Sequence, residues 1–132
     1  MARRPGGLIE EKLTPAVIGA FCDVYNTLGY GFLEHVYALA LEREWLDRGH
    51  RVGREVSVNI VYKGLTLTSQ RLDFVVDEKV IVEAKSTQTL SAGAARQLYN
   101  SLRATNLAIG LLLHFGPEPT FHRLISPRAL QK

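Results

Sequence analysis

The feature that most constrains the fold of this chain is a continuous apolar stretch at residues 107–113, interrupted only by Gly110. A strand with apolar side chains on both sides of its backbone has to be covered on both faces, like a central strand of a sheet flanked by helices. Pro117 and Pro119 follow the stretch and end it. The chain is therefore expected to fold around a buried sheet with helices packed against it.

Three other segments have apolar residues at helical spacing. The first is predicted to begin at Thr14 and Pro15, a capping hydroxyl followed by proline at the first helical position, and to end in the glycine-rich stretch 29–31. The second covers residues 32–47 and the third residues 91–103. The chain is thus expected to supply two helices before the sheet and one within it.

Between the second and third helices the apolar period changes to two, which is typical of strands. Strands are predicted at residues 56–62, 65–76 and 80–85, with a last strand at residues 120–125. The apolar phase of the second strand moves from odd to even positions, which predicts a bulge at residues 68–70. The expected class is α/β, with the element order α-α-β-β-β-α-β-β.

Length and composition favour one ordinary globular domain. The chain has 132 residues, of which 46% are hydrophobic and 22% charged, so one core is expected and extensive disorder is not. We predict a single domain over residues 14–132, preceded by a flexible arm at residues 1–13. No apolar stretch is long enough to span a bilayer, so no membrane association is expected.

The cysteine count and the net charge suggest where the chain works and what it can bind. Cys22 is the single cysteine, which excludes a disulfide within the chain and favours a reducing, cytoplasmic location. The net charge of +3 allows a polyanionic partner without requiring one.

The hairpin at residues 71–85 carries the strongest chemical signal. A turn at residues 77–79 would place Val76 opposite Val80. The same register would place Asp73 opposite Glu83, with Lys85 on the same face of the sheet. The other face would be apolar and comprise Leu72, Phe74, Val76, Val80, Val82 and Ala84.

Two carboxylates in that arrangement suit a divalent cation. Directly opposed side chains on antiparallel strands lie roughly 5 Å apart, so Asp73 and Glu83 would repel each other. A cation such as Mg²⁺, which prefers carboxylate oxygens, phosphate and water, removes the repulsion. Lys85 would place an ammonium group where it can stabilise negative charge on a reacting phosphate. From the hairpin alone, surface ion pairs with Lys85 and Arg71 are an equally open interpretation.

Two helical segments add weaker signals. Glu34 and Tyr37 lie three residues apart on one helix face, and Glu34 falls in the first turn, where the helix dipole favours a carboxylate. The alternative interpretation is a helix-stabilising acid beside a core tyrosine. Residues 96–100 carry polar groups that could contact a phosphate backbone, and the alternative there is a solvated helix face.

Taken together, these segments resemble the GxxExxY protein family, a branch of the PD-(D/E)xK nuclease superfamily. The motif that names the family is matched by Gly31, Glu34 and Tyr37. The other similar segments follow in the family's order and are the YKG turn, the strand that carries Asp73, the VIVEAKS strand, the RQL helix and the GLLLHFG strand. The resemblance covers residues 14–125.

The resemblance implies a restriction-endonuclease-like mixed β-sheet flanked by helices. It implies Mg²⁺, or Mn²⁺, held by Asp73 and Glu83 with help from Glu34, and a catalytic set that adds Lys85. It also implies substrate contacts from Tyr37, Gln97 and Tyr99. The helix motif of RecB-like members usually reads QxxxY, and this chain has Ser101 at the tyrosine position.

The function implied is hydrolysis of phosphodiester bonds in nucleic acid, with DNA as the expected substrate. Two other classes stay open at this stage. One is a catalytically inactive nucleic-acid-binding module that retains the nuclease fold. The other is a protein-interaction module, and a homodimer or a protein partner would also suit so small a domain.

Overall fold

The computed structural model describes residues 12–127 and confirms the predicted order of elements. The three helices and five strands are α1 (Leu13–Leu28), α2 (Glu34–Asp47), β1 (Val52–Tyr62), β2 (Leu65–Val76), β3 (Val80–Lys85), α3 (Ala94–Arg103), β4 (Ile109–Phe115) and β5 (Pro119–Ile125). Residues 1–11 of the predicted arm lie outside the described residues. Leu13, the last residue of that predicted arm, already belongs to α1.

The five strands form one mixed sheet in the order β1-β2-β3-β4-β5. Every neighbouring pair is antiparallel except β3 and β4, which are parallel because α3 returns the chain between them. The α/β class with a restriction-endonuclease-like mixed sheet is therefore confirmed.

Helices cover the two faces of the sheet separately. α1 and α2 pack on one face against alternate residues of β2, β3 and β4, and the largest side chains there are Trp45, Tyr37, Phe21, Phe74 and Phe115. α3 packs on the other face, where Leu98 and Leu102 contact Ile81 and Leu112. All seven residues of β4 are buried, as the continuous apolar stretch predicts.

The start of α1 differs from the prediction. The helix begins at Leu13 rather than at a Thr14 cap, and no side-chain hydrogen bond caps it. Thr14 is 5% exposed, and its hydroxyl has no hydrogen-bond partner in the described part of the chain. The predicted capping role of Thr14 is therefore wrong, because the side chain turns into the core instead of back to the first turn.

The hairpin register at the β2–β3 turn matches the prediction, since Val76 pairs with Val80 and Phe74 with Val82. The predicted bulge at residues 68–70 is displaced. Ile60 pairs with Thr68 and Val61 with Thr66, so the extra residue of β2 is at position 67. The change of the apolar positions from odd to even numbers occurs at this unpaired residue, one residue before the predicted bulge.

A second irregularity lies in β1 and β2, where the even-numbered side chains change from one face of the sheet to the other. Val52 packs with the α1/α2 side of the core, whereas Val56, although also even-numbered, packs with the α3 side. Glu55 lies between them with a left-handed φ of 52°. Leu72, on β2 opposite Val56, likewise packs on the α3 side. The prediction that Leu72 shares a face with Phe74 is therefore wrong, because the pleat changes sides at this level of the sheet.

No helix among residues 12–127 is long and apolar enough to cross a membrane.

Candidate active site

The candidate site lies where β2 and β3 part. Their ladder ends at Phe74 and Val82, and beyond it each strand uses a carboxylate to bond the other. The amide of Asp73 donates to Oε2 of Glu83 at 3.0 Å, and the amide of Ala84 donates to Oδ2 of Asp73 at 3.0 Å. This reciprocal pair replaces the ladder and holds the two carboxylates side by side.

Glu83 is the most perturbed acid of the site. Burial of the carboxyl raises its pKa to about 8, and the negative charge of Asp73 acts in the same direction. The amide of Asp73 and the ammonium of Lys85 oppose that rise only in part. In the absence of a cation, burial and the charge of Asp73 therefore favour the protonated form of Glu83.

Lys85 follows Glu83 by two residues and is half-buried. Its positive charge stabilises the ionised forms of both Glu83 and Glu34. Its ammonium makes no hydrogen bond or ion pair within 4.0 Å to any residue between 12 and 127. Lys85 is therefore close to the acids without being neutralised by direct contact with one of them.

Glu34 lies at the first residue of α2. The residue as a whole is exposed, but partial withdrawal of its carboxyl from water raises its pKa. Lys85 lowers that pKa and Asp73 raises it further, so both charges act on Glu34. The structure thus brings the four predicted catalytic residues, Glu34, Asp73, Glu83 and Lys85, into one electrostatic neighbourhood.

The loop before Glu34 is fixed by Gly31 and Tyr37, the two other residues of the GxxExxY pattern. Gly31 has a φ of 112°, which a side chain would strain. The hydroxyl of Tyr37 donates to the carbonyl of Gly29 at 2.5 Å and accepts from the amide of Phe32 at 3.2 Å. Helix α2 consequently begins at Glu34 rather than at residue 32, because Tyr37 holds residues 29–32 outside the helix.

The predicted substrate contact of Tyr37 is wrong. The residue is 0% exposed, its ring stacks on Phe115 with centroids 4.0 Å apart, and its hydroxyl is used by the loop. Tyr37 positions Glu34 and has no surface with which to touch a substrate.

Two residues that the sequence analysis did not single out hold the segment after Lys85. Ser86 donates its hydroxyl to the carbonyl of Phe32 at 2.6 Å, which ties the end of β3 to the loop before Glu34. On β4, Nε2 of His114 lies 2.9 Å from the carbonyl and 3.0 Å from Oγ1 of Thr87. The available signal was a histidine inside an otherwise apolar strand.

The hydrogen bonds of Thr87 identify the tautomer of His114. The Thr87 hydroxyl donates to the carbonyl of Thr89 at 2.8 Å, so its oxygen can only accept from the ring. The carbonyl of Thr87 is also an acceptor. His114 therefore carries its hydrogen on Nε2 and anchors the loop that follows Lys85.

Helix α3 does not join the site in this structure. Gln97 is exposed, Tyr99 lies under the guanidinium of Arg96 at 5.4 Å from the ring centre, and no contact among residues 12–127 links either to Asp73 or Glu83. Ser101, at the tyrosine position of the QxxxY pattern, accepts a hydrogen bond of 2.6 Å from Gln70. The helix is thereby tied to β2, and the substrate roles of Gln97 and Tyr99 stay predictions.

The donor set fits a divalent cation that keeps several waters. No group of three or more His, Cys, Asp or Glu side chains within residues 12–127 is arranged to hold a metal ion, and the role of Glu34 as a ligand stays a prediction. Asp73 and Glu83 each use one carboxylate oxygen in the reciprocal bonds, which leaves the other for a ligand. One or two carboxylates with water and phosphate are a normal environment for Mg²⁺.

A cleft beside the pair gives access from solvent. Its lining comprises Glu34, His35, Ala38, Arg54, Glu55, Asp73, Phe74 and Ala84. Asp73 thus faces the cleft, with Glu83 bonded behind it.

Comparison with known proteins agrees with this architecture. A family model described as the PD-(D/E)XK nuclease superfamily matches residues 11–124. The crystal structure of SSO0001 is similar, with a TM-score of 0.57 and 16% sequence identity over 89% of this chain and 67% of that chain. At that identity the likeness shows the fold alone. No curated protein sequence matches the chain significantly.

Proposed function

The chain belongs to the PD-(D/E)XK nuclease superfamily, and from this premise we propose that it is a metal-dependent nuclease that hydrolyses phosphodiester bonds of nucleic acid. Nucleases of this superfamily generally use divalent metal ions. The observation that carries the proposal is the reciprocal bonding of Asp73 and Glu83, which holds two carboxylates together beside a cleft. A surface ion-pair cluster would not need that arrangement, because each acid would pair with a cation instead.

Asp73 and Glu83 would hold the cation, since each has a carboxylate oxygen outside the reciprocal bonds. A bound divalent cation supplies a water of lowered pKa and polarises the phosphate. The Asp73 and Ala84 amides keep the carboxylates oriented, so little reorganisation is needed when substrate arrives. Lys85, which no acid neutralises by contact, stabilises the negative charge that develops on the phosphate. Glu34, which lines the cleft, accepts hydrogen bonds from water and orients it.

The finer parts of the proposal follow the sequence. The cation is Mg²⁺ or Mn²⁺, the substrate is DNA, and the location is the cytoplasm, where the lone thiol of Cys22 stays reduced. Membership of the GxxExxY branch is supported by the separate structural tasks of Gly31, Glu34 and Tyr37. A homodimer or protein partner remains a prediction.

The test is a cleavage assay with circular and linear DNA and RNA, in Mg²⁺, in Mn²⁺ and in chelator. Wild-type protein is expected to cut at least one substrate, and chelator is expected to stop it. Lys85→Ala should lower the rate by about 10²-fold or more, because a charge aimed at the transition state is removed. The matched control is Lys79→Ala, which removes an exposed lysine from the β2–β3 turn. Equal loss in both variants would contradict the assignment of Lys85.

A further inference from the structure

The hairpin of β1 and β2 extends past the rest of the sheet. β3 pairs only with the last three residues of β2, whereas β1 continues to pair with β2 as far as Tyr62 and Leu65. Residues 56–72 therefore form a two-stranded ribbon that starts beside the candidate site. The ribbon contains Lys63 and Arg71 and no Asp or Glu. Such a surface, next to a site rich in acids, is suited to a polyanion.

A polar depression lies at the base of the ribbon, next to the cleft of the candidate site. It is lined by Glu55, Ser57, Ser69 and Arg71. Glu55 also lines the cleft that contains Glu34 and Asp73. The depression and the cleft therefore adjoin at Glu55, and a chain lying in the cleft would lie next to the depression.

Arg71 is only loosely held. Its Nη1 donates to Oε1 of Glu55 at 2.9 Å, and the two side chains are 67% and 59% exposed. An ion pair this exposed contributes little free energy. Within residues 12–127 this is the one hydrogen bond of the Arg71 side chain, so its other N–H groups are available. A guanidinium is the side chain best suited to grip a phosphate through two parallel hydrogen bonds.

Glu55 is placed by an unfavourable backbone. Its φ of 52° lies in the left-handed region that residues other than glycine, asparagine and aspartate seldom adopt. The same conformation sends Arg54 to the α2 side, where it pairs with Glu42 at 3.0 Å, and Val56 to the α3 side. Glu55 is left at the border between cleft and depression, with Arg71 as its partner. Strain of this kind is concentrated at functional sites.

We propose that this depression binds a phosphate of the nucleic-acid backbone next to the phosphate that is cleaved. Arg71 binds that phosphate, and when no nucleic acid is bound its guanidinium pairs with the Glu55 carboxylate instead. The hydroxyls of Ser57 and Ser69 line the same depression and supply further donors. The inference rests on the proposed function, because it takes nucleic acid as the substrate.

The first experiment measures binding of labelled oligonucleotides in EDTA, by fluorescence anisotropy over a range of salt. Single-stranded DNA, duplex DNA and single-stranded RNA are separate arms, and the backbone phosphate is common to all of them. Arg71→Ala should weaken binding about tenfold in each arm that binds, and should reduce the salt slope by about one. Lys79→Ala removes the same charge from the β2–β3 turn, outside the depression, and should change affinity less than twofold. Equal affinities for the two variants, or no binding by wild-type protein in any arm, would overturn the phosphate site.

The second experiment tests the competition between Glu55 and the phosphate. Glu55→Gln should tighten binding several-fold because it releases Arg71, and this gain should largely disappear in an Arg71→Ala background. Glu78→Gln is the control, since Glu78 pairs with Arg51 at the far turn and is 76% exposed. An equal gain with and without Arg71 would show general charge repulsion and would count against the proposed role of Glu55.

Failure of the phosphate site and failure of the proposed function are distinguishable. EDTA prevents metal-dependent cleavage, so binding is measured whether or not the chain cuts. Protein that binds through Arg71 but does not cut in Mg²⁺ or Mn²⁺ contradicts the nuclease and leaves the phosphate site standing. Protein that cuts, and whose affinity is unchanged by Arg71→Ala, overturns the phosphate site alone.

Discussion

Asp73 and Glu83 are held together by hydrogen bonds from backbone amides, although two carboxylates repel each other when both are ionised. The amides of Asp73 and Ala84 fix the geometry, and burial and mutual repulsion raise the pKa of Glu83. Without a cation this arrangement is an unfavourable place for two negative charges. At the scale of single residues, the site therefore stores an electrostatic conflict that a cation would relieve.

That conflict predicts a pH-dependent stability in the absence of metal. The folded pKa of Glu83, about 8, lies above its ordinary value of 4.5. Glu83 therefore favours the folded state fully below pH 4.5, and this contribution is lost as pH rises toward 8. Glu83→Gln, whose amide oxygen can still accept from Asp73, removes the effect. In thermal melts in EDTA, the stability of the variant relative to wild type should increase between pH 5 and pH 9 by on the order of a few kcal/mol. A constant difference across that range would contradict the prediction.

The affinity for metal should increase with pH, whereas the stability of the metal-free protein decreases. Deprotonated carboxylates are the ligands, so binding releases the proton that Glu83 holds. We expect the affinity for Mg²⁺ to rise by up to about tenfold per pH unit between pH 6 and pH 8, since one proton is displaced. Calorimetry in two buffers of different ionisation enthalpy measures that proton. Asp73→Asn and Glu83→Gln should each abolish most of the binding, whereas Glu78→Gln should leave it unchanged.

At the scale of elements, the site is assembled by loops that side chains tie down. Tyr37 fixes the loop before Glu34, Ser86 ties that loop to the end of β3, and His114 anchors the segment after Lys85 through Thr87. The helix that carries Glu34 and the strand that carries Lys85 are thus joined to one another close to the cleft. Their relative position depends on these few hydrogen bonds.

Loss of the Tyr37 hydroxyl should lower the activity by more than the accompanying loss of stability can account for. Tyr37→Phe keeps the stack on Phe115 and removes two hydrogen bonds, which destabilises the fold by about 1–3 kcal/mol. We expect kcat to fall at temperatures where the variant is fully folded, because Glu34 loses its support. Tyr25→Phe is the control, since its hydroxyl donates to the carbonyls of Gly116 and Pro117 instead. Equal rates for the two variants would contradict the positioning role of Tyr37.

The tautomer of His114 predicts which substitutions are tolerated. A glutamine amide can occupy the place of Nε2 and donate to Thr87, whereas asparagine and leucine cannot. His114→Gln should therefore keep most of the stability, and His114→Asn and His114→Leu should lose about 1–3 kcal/mol. Chemical denaturation measures the difference. The same loss in all three variants would show that the ring is needed for packing alone, for instance against Gly116, where an added Cβ would meet it at 2.7 Å.

The sequence could predict these elements better than their irregularities. Apolar period and turn residues located all eight elements, and the turn at residues 77–79 placed Val76 opposite Val80 and hence Asp73 near Glu83. The reversal of faces at Glu55 could not be predicted, because a left-handed residue leaves no mark in the apolar pattern. Tyr37 was misassigned because an amphipathic side chain at helical spacing suits core and cleft equally.

At the scale of the whole molecule, the helices on the two faces leave the end of the β2–β3 ladder open. α1 and α2 cover one side and α3 the other, and the ladder between β2 and β3 ends before β2 does. The opened strands expose Asp73 to the cleft, and the ribbon of residues 56–72 continues away from it. Within residues 12–127 the fold thus places the acidic site beside a basic extension, which is the arrangement that the proposed nuclease activity requires.

The most direct test of the nuclease assignment is the Mg²⁺ dependence of cleavage by wild-type protein and by Glu83→Gln, prepared in parallel. We predict cleavage that rises with Mg²⁺ for wild type, a loss of at least about 10²-fold for Glu83→Gln, and a wild-type rate for Glu78→Gln. Cleavage by Glu83→Gln at the wild-type rate would contradict the nuclease assignment of this site, because it would come from another site or another protein.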